Sequence, residues 1–169
     1  MDMAKTVDKA QVSLPSDTAV RVTRDFKASR KLVWDAHTQP ELVKRWMLGP
    51  PGWSMPVCEM DLRPGGTYRW RWRSDENGAE FGFFGEFTAV EAPANLAHTE
   101  YYDPGDMPAN MDTSKPAIIS TSFTETDGVT TLVSLMDFGS KEARDAAVAT
   151  GMTDGMEMGY ARLDELFAE

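Results

Sequence analysis

Between residues 55 and 138 apolar side chains recur at every second position, and beyond residue 140 they recur at every third or fourth. That change of period constrains the fold more than any other feature. A period of two sends alternate side chains to opposite faces of an extended strand, whereas a period near 3.6 gathers them on one stripe of a helix. A sheet that is apolar on one face must be covered, and a single long helix at the end of the chain is the element available to cover it.

The punctuation fits. Residues 67–73 alternate Tyr68, Trp70 and Trp72 with Arg69, Arg71 and Arg73, and Asp75-Glu76-Asn77-Gly78 follows as a hairpin turn. Further strands are expected at 55–62, 80–90, 95–102, 117–126 and 129–138, with turns at 63–66, around Pro93 and at Asp127-Gly128, and a polar loop at 103–116. Ahead of them, 9–14 and 19–26 read as extended, joined by Pro15-Ser16-Asp17. Ser29 can cap a short helix, and Pro40 suits the first position of a second one carrying Leu42, Val43 and Trp46. Leu48-Gly49-Pro50-Pro51-Gly52 must be a loop. Ser140 can cap a helix running to 149, and from Gly151 onward Met152, Met156, Gly159, Tyr160, Leu163 and Phe167 mark one face of a long amphipathic helix. The expectation is a single α+β domain over 1–169, with 1–8 a flexible tail: a curved antiparallel sheet and two short helices wrapped around the last helix.

Charge and composition exclude several functions. Twenty-seven acidic residues against 17 basic ones give a formal charge of -10, which disfavours nucleic acid as a partner. No run approaches the length of a membrane span, and the first ten residues lack a signal-peptide core, so a cytoplasmic protein is expected. One cysteine, Cys58, reads as a small buried residue in a strand. Two histidines and that cysteine have no zinc spacing, and the loop 103–112 lacks a calcium-loop pattern; no metal and no cofactor are expected. Elbow, phosphate-loop and dinucleotide fingerprints are missing.

Four stretches, 22–36, 38–46, 57–66 and 151–166, are similar to the opening, continuation, first hairpin and closing helix of one branch of the SRPBCC (START-related, Bet v-like helix-grip) superfamily, that of homologues of the activator of the heat-shock-protein-90 ATPase. They follow in order across nearly the whole chain. The resemblance implies a helix-grip fold. Members bind lipids, hormones and other hydrophobes or act as cyclases, so it does not choose a function. At His37 and Met47, where relatives often carry aromatics, this chain departs from the pattern.

Candidate site residues follow from the faces. Tyr68, Trp70 and Trp72 offer apolar area for core packing or for a cavity wall. His98 shares a strand face with Leu96, Glu100 and Tyr102, and two ionisable groups in an apolar chamber would be a candidate site, His98 and Glu100 being the weak candidates for catalysis. Thr121 and Ser134 could add hydrogen bonds, Met136, Met152, Met156 and Tyr160 could complete the wall, and Trp46 and Trp53 flank the Pro-Pro loop as either a gate or anchors. Gly151, Gly155 and Gly159 are read as a close-packing edge or as room for a ligand. The first functional expectation is a binder of a small hydrophobic molecule. An enzyme of cyclase, dehydratase or hydrolase type on the same scaffold, and a co-chaperone with a chaperone partner, are the alternatives; a homodimer is left open.

Overall fold

The computed structural model describes residues 7–105 and 115–169. Eight antiparallel strands form one sheet: β1 (Gln11–Ser13), β2 (Ala19–Phe26), β3 (Trp53–Met60), β4 (Thr67–Ser74), β5 (Glu80–Glu91), β6 (Asn95–Asp103), β7 (Ala117–Thr126) and β8 (Val129–Asp137). Their order is β1-β2-β8-β7-β6-β5-β4-β3, so β3 through β8 is an uninterrupted meander whose last strand pairs with β2. The connection from β2 to the far edge carries α1 (Arg30–Thr38) and α2 (Pro40–Trp46), and α3 (Lys141–Ala149) and α4 (Met152–Phe167) end the chain. This is the helix-grip α+β arrangement the sequence implies.

Local chemistry sets the boundaries. Ser29 Oγ accepts from the Leu32 amide at 3.3 Å and Ser140 Oγ from the Ala143 amide at 3.1 Å, each satisfying one free donor at a helix start. Pro40 opens α2, where its missing N–H costs nothing. The expected strand at 55–62 begins and ends two residues earlier. Its pairing with β4 shifts between Ser54 and Val57, and this bulge lets Met55 and Cys58, three apart, both turn inward. Of the expected tail, Val7 is tied down: its N–H donates to Asp25 Oδ2 at 2.7 Å, and its carbonyl accepts from the Asp25 amide at 2.7 Å. Residues 1–6 of that tail, and 106–114 of the loop at 103–116, lie outside the described residues. No described helix is long and apolar enough to cross a membrane.

The inner face of the sheet and the buried side of α4 make the core. Gly159, Tyr160 and Leu163 are the buried residues of α4, while Met152, Met156, Leu166 and Phe167 are half-buried against the core. Phe26 of β2 meets Tyr160 and Phe167 edge-on at 5.4 and 5.9 Å. Trp46 stacks beside Tyr160 at 6.1 Å and donates its Nε1–H to the Ala36 carbonyl at 2.7 Å, which locks α2 to α1 and both to α4. Of its two readings, anchor and gate, the geometry favours the anchor.

The three glycines have three separate explanations. Gly151 lies outside the helix interior as the N-cap of α4, at φ +81°, a left-handed conformation that favours glycine. A Cβ on Gly159 would come within 3.2 Å of the Trp46 ring, so there the close-packing reading holds. Around Gly155 a Cβ would meet nothing within 4 Å.

A second fastening was not foreseen. Arg24, on the inner face of β2, is 1% exposed. It donates to Glu157 at 2.9 and 3.2 Å and to Asp164 at 2.9 and 2.7 Å, both carboxylates coming from α4. Burial works against the guanidinium's charge, but the bonds to Asp164 and Glu157 outweigh it and raise its proton affinity above the ordinary value. Glu157 also accepts from the Ala10 amide at 2.7 Å, so one carboxylate ties α4 to β2 and to the chain just before β1.

Candidate functional site

Strand alternation brings Leu96, His98, Glu100 and Tyr102 to the inner face of β6, beside Phe87 and Phe83 of β5 and opposite Thr121, Ile119 and Ala117 of β7. Tyr68, Trp70 and Trp72 of β4 are buried on that same side. The aromatic residues sort into groups. Trp53, Phe81, Trp72, Phe83 and Tyr102 form a chain of ring contacts at 5.3 to 6.3 Å. Tyr68, Trp70 and Phe87 surround the His98 ring at 5.1, 6.0 and 6.1 Å. Trp46 and Tyr160 belong to neither group and sit with Phe26 and His37 under α4. The structure thus brings Tyr68, Trp70, His98 and Glu100 together, places Trp53, Trp72 and Tyr102 next to them, and sets Trp46 and Tyr160 apart. Ser134 lies opposite Thr121 across the β7–β8 ladder, and Ser134 and Met136 are buried.

The polar core of this region is a short relay. The Tyr68 hydroxyl lies 2.5 Å from the Thr99 carbonyl, and since a carbonyl carries no proton, the phenol must donate. His98 Nδ1, at 3.0 Å from the same hydroxyl, is then the donor to the phenol oxygen. That fixes the tautomer: Nδ1 carries the proton and Nε2 has a lone pair with no described partner. Burial holds the His98 imidazole neutral, with its pKa down to about 4. Burial, with Glu100 adding to it, also raises the Tyr68 phenol well above its usual value.

The relay depends on a gap in the sheet. Between β5 and β6 the paired register passes from Phe84↔Tyr101 to Phe87↔His98, and Gly85 sits in the interval with Thr99 Oγ1 accepting from the Glu86 amide at 3.0 Å. A Cβ on Gly85 would lie 2.0 Å from the Thr99 carbonyl, the same oxygen the phenol seeks. A strand glycine marks such a close approach. In the sequence the signal for it is the glycine inside the aromatic strand Phe83-Phe84-Gly85-Glu86-Phe87.

Glu100 is the unusual member. It is half-buried, makes no hydrogen bond or ion pair with any described residue, and burial pushes its carboxyl up to about 7. The sealed, unpartnered polar atoms described are Trp70 Nε1 and His37 Nε2. Cys58 is buried, and burial, against a smaller opposing effect of Lys44, moves its thiol up to about 11, the wrong direction for a nucleophile. No three His, Cys, Asp or Glu side chains among the described residues are placed to hold a metal.

A concavity of about 480 Å³ lies on the outer side of the sheet, beside Glu59, Arg69 and Phe84. Another of about 350 Å³ lies at the end of α4, beside Asp25, Lys27 and Phe167. Toward the interior, the side chains that keep some surface include Glu100, Tyr102, Phe81, Phe83, Met152 and Met156.

Comparison with known proteins places this arrangement. The model of the family described as "Activator of Hsp90 ATPase homolog 1-like protein" matches residues 27–168. A crystal structure of a Rhodobacter sphaeroides protein is 29% identical, with a TM-score of 0.83 over 95% of this chain and 98% of that one. A Mycobacterium smegmatis protein is 25% identical, with a TM-score of 0.79 over 92% and 94% of the two chains. In fold alone the chain is also similar to an AHSA1-like protein from Aeromonas hydrophila, at 20% identity and a TM-score of 0.67 over 88% and 95%. No curated protein matches.

Proposed function

The chain belongs to the family of Activator of Hsp90 ATPase homolog 1-like proteins, and from the site within it we propose that it binds a small, mostly apolar molecule between the inner face of β5–β6 and α4. The observation that carries this reading is Glu100: a carboxyl without a described partner, on the strand face of half-buried Tyr102, which is paired with half-buried Phe83. A buried ionisable group normally has a partner or loses its charge, and a protein that keeps one unmatched beside aromatic rings has a place for a ligand's polar end. The rings supply contact area at low entropic cost, and the thioethers of Met152 and Met156 can adapt to an irregular shape. Room comes from side-chain movement and from the open space beside Gly155.

Native mass spectrometry of the purified chain and displacement of a lipophilic dye test the reading. A retained hydrophobe, or saturable displacement that is lost in a variant filling the interior such as Ala117→Phe, is the expected result. Absence of any bound or displaceable hydrophobe would overturn it.

A second reading has one observation in its favour: a carboxyl near pH 7 is suited to take and return protons. On that reading a bound ligand is converted by the wild type and bound unchanged by Glu100→Gln; conversion at equal rates by both would remove it. The co-chaperone reading rests on the family description alone, and stimulation of a heat-shock-protein-90 ATPase is its direct assay.

A further inference from the structure

We propose that the site selects ligands whose polar end donates hydrogen bonds, an alcohol, phenol or amine on an apolar body, and turns away carboxylates. This deepens, and rests on, the binding reading above. Two unmatched groups on the inner face of β6 have a fixed hydrogen-bonding polarity, and both are acceptors. His98 Nε2 is an acceptor because Nδ1 gives its proton to Tyr68, whose own proton is committed to the Thr99 carbonyl. Glu100, two residues along the strand and on the same face, is an acceptor whenever it is ionised. The two Cα positions are about 6.6 Å apart at the usual strand rise, a spacing that one polar head group can bridge.

Among the described residues, the groups able to reverse this polarity are committed or sealed. Arg24, the cation on the inner face of β2, is saturated by Glu157 and Asp164. Lys44, near Cys58, is solvent-exposed. Trp70 Nε1, a donor, is closed off from any approaching molecule. The hydroxyls of Tyr102, Thr121 and Ser134 donate or accept as needed and set no preference. A carboxylate ligand would therefore face a lone pair and a like charge, whereas a donor would satisfy both.

Three matched probes distinguish the outcomes at pH 8, where Glu100 is mostly ionised: 2-naphthol, 2-naphthylmethylammonium and 2-naphthoate, titrated against the intact chain with tryptophan fluorescence and calorimetry. The expected result is that 2-naphthol and the ammonium bind about tenfold or more tightly than 2-naphthoate, the scale of leaving one buried polar group unmatched. Glu100→Gln should cut the preference for the ammonium over 2-naphthoate by about tenfold, and His98→Phe, which keeps the aromatic surroundings but offers no acceptor, should weaken 2-naphthol. If all three probes bind alike, or if Glu100→Gln keeps the wild-type order, the selectivity is overturned while the binding reading stands. If none binds to the wild type, both fall.

Discussion

Two buried polar clusters on the same sheet face follow opposite rules. Around Arg24 every strong donor direction is answered: four bonds of 2.7 to 3.2 Å run to two carboxylates that α4 delivers. Around His98 and Glu100 one bond to Tyr68 is made and the remaining acceptors have no described partner. Burying a charge is costly unless the fold supplies partners. The contrast teaches that one sheet face treats its buried polar groups in two ways: on β2 the charge is answered by carboxylates from α4, and on β6 the acceptors are left without a described partner.

The largest effect should come from unfastening the first cluster. Arg24→Met should cost about 3–5 kcal/mol, since it strips two carboxylates of their partner and breaks a buried ion group. Asp164 and Glu157 keep some contact with water, side-chain exposure being 46% and 30%, so the loss should fall toward the low end of that range. Urea unfolding measures it as a shift in midpoint at unchanged slope. A loss below about 1 kcal/mol would mean that the cluster decorates α4 without holding it.

Replacing the unmatched carboxyl should do the reverse, and only at one end of the pH scale. The folded pKa of Glu100 is raised from 4.5 to about 7, so between those values the native state holds a proton that the unfolded chain has released. Stability supplied by this group is therefore greatest below pH 4.5 and is lost as pH rises through 7, a swing of up to about 3 kcal/mol. Glu100→Gln should thus be more stable than the wild type at pH 8 and lose that advantage near pH 4.5. His98 and His37, both lowered to about 4, titrate in the opposite sense between 6.5 and 4, so the comparison must be wild type against variant at each pH. A pH-independent difference would show that Glu100 is not desolvated, and the contrast between the clusters would weaken.

Most of the second cluster was legible, and of the first the partners were not. Period-two alternation fixes the relative faces of Tyr68, Trp70 and Trp72, and the same rule puts His98 and Glu100 on one side once β6 is placed. Arg24 alternates with Val22 and Phe26, so period two puts it on the apolar face, where an unanswered charge would be costly. What answers it is a pair of carboxylates 133 and 140 residues later, a long-range pairing that no local pattern encodes. The Tyr68–His98 contact was invisible for a related reason. It needs the gap at Gly85, and a gap in a ladder is a property of two strands together. The helical glycines differ again: equal spacing in the sequence treats them as one edge, close-packed or open, whereas the boundary of α4 sets Gly151 apart and the Trp46 ring separates Gly159 from Gly155.

His37 offers a smaller test on the saturated side. Its Nδ1–H donates to the Val33 carbonyl at 2.8 Å, while Nε2 is sealed without a partner next to Trp46 and Phe123. His37→Phe gives up one bond and removes one orphaned acceptor, so at pH 8 it should gain roughly 1 kcal/mol or less. The gain should widen on acidification, because burial holds the imidazole neutral with a pKa of about 4 and the wild type loses that group's stability as pH falls below 6.5. A thermal-melt series across pH reads both parts.

The smallest expected effect separates structure from function at α4. Gly155→Ala adds a methyl group where nothing lies within 4 Å and replaces the poorer helix former in the body of α4, so it should stabilise the fold by about 0.5–1 kcal/mol. Gly159→Ala carries the same propensity gain but presses on the Trp46 ring at 3.2 Å, and since Trp46 is held by its bond to Ala36, the gain should vanish or reverse. The pair therefore measures packing against propensity on one helix. If the space beside Gly155 admits a ligand, Gly155→Ala will also weaken hydrophobe binding while raising the melting temperature, a combination that a purely structural glycine cannot produce. Stabilisation with unchanged binding would move the ligand away from the start of α4 and leave the inner face of β5–β6 to hold it alone.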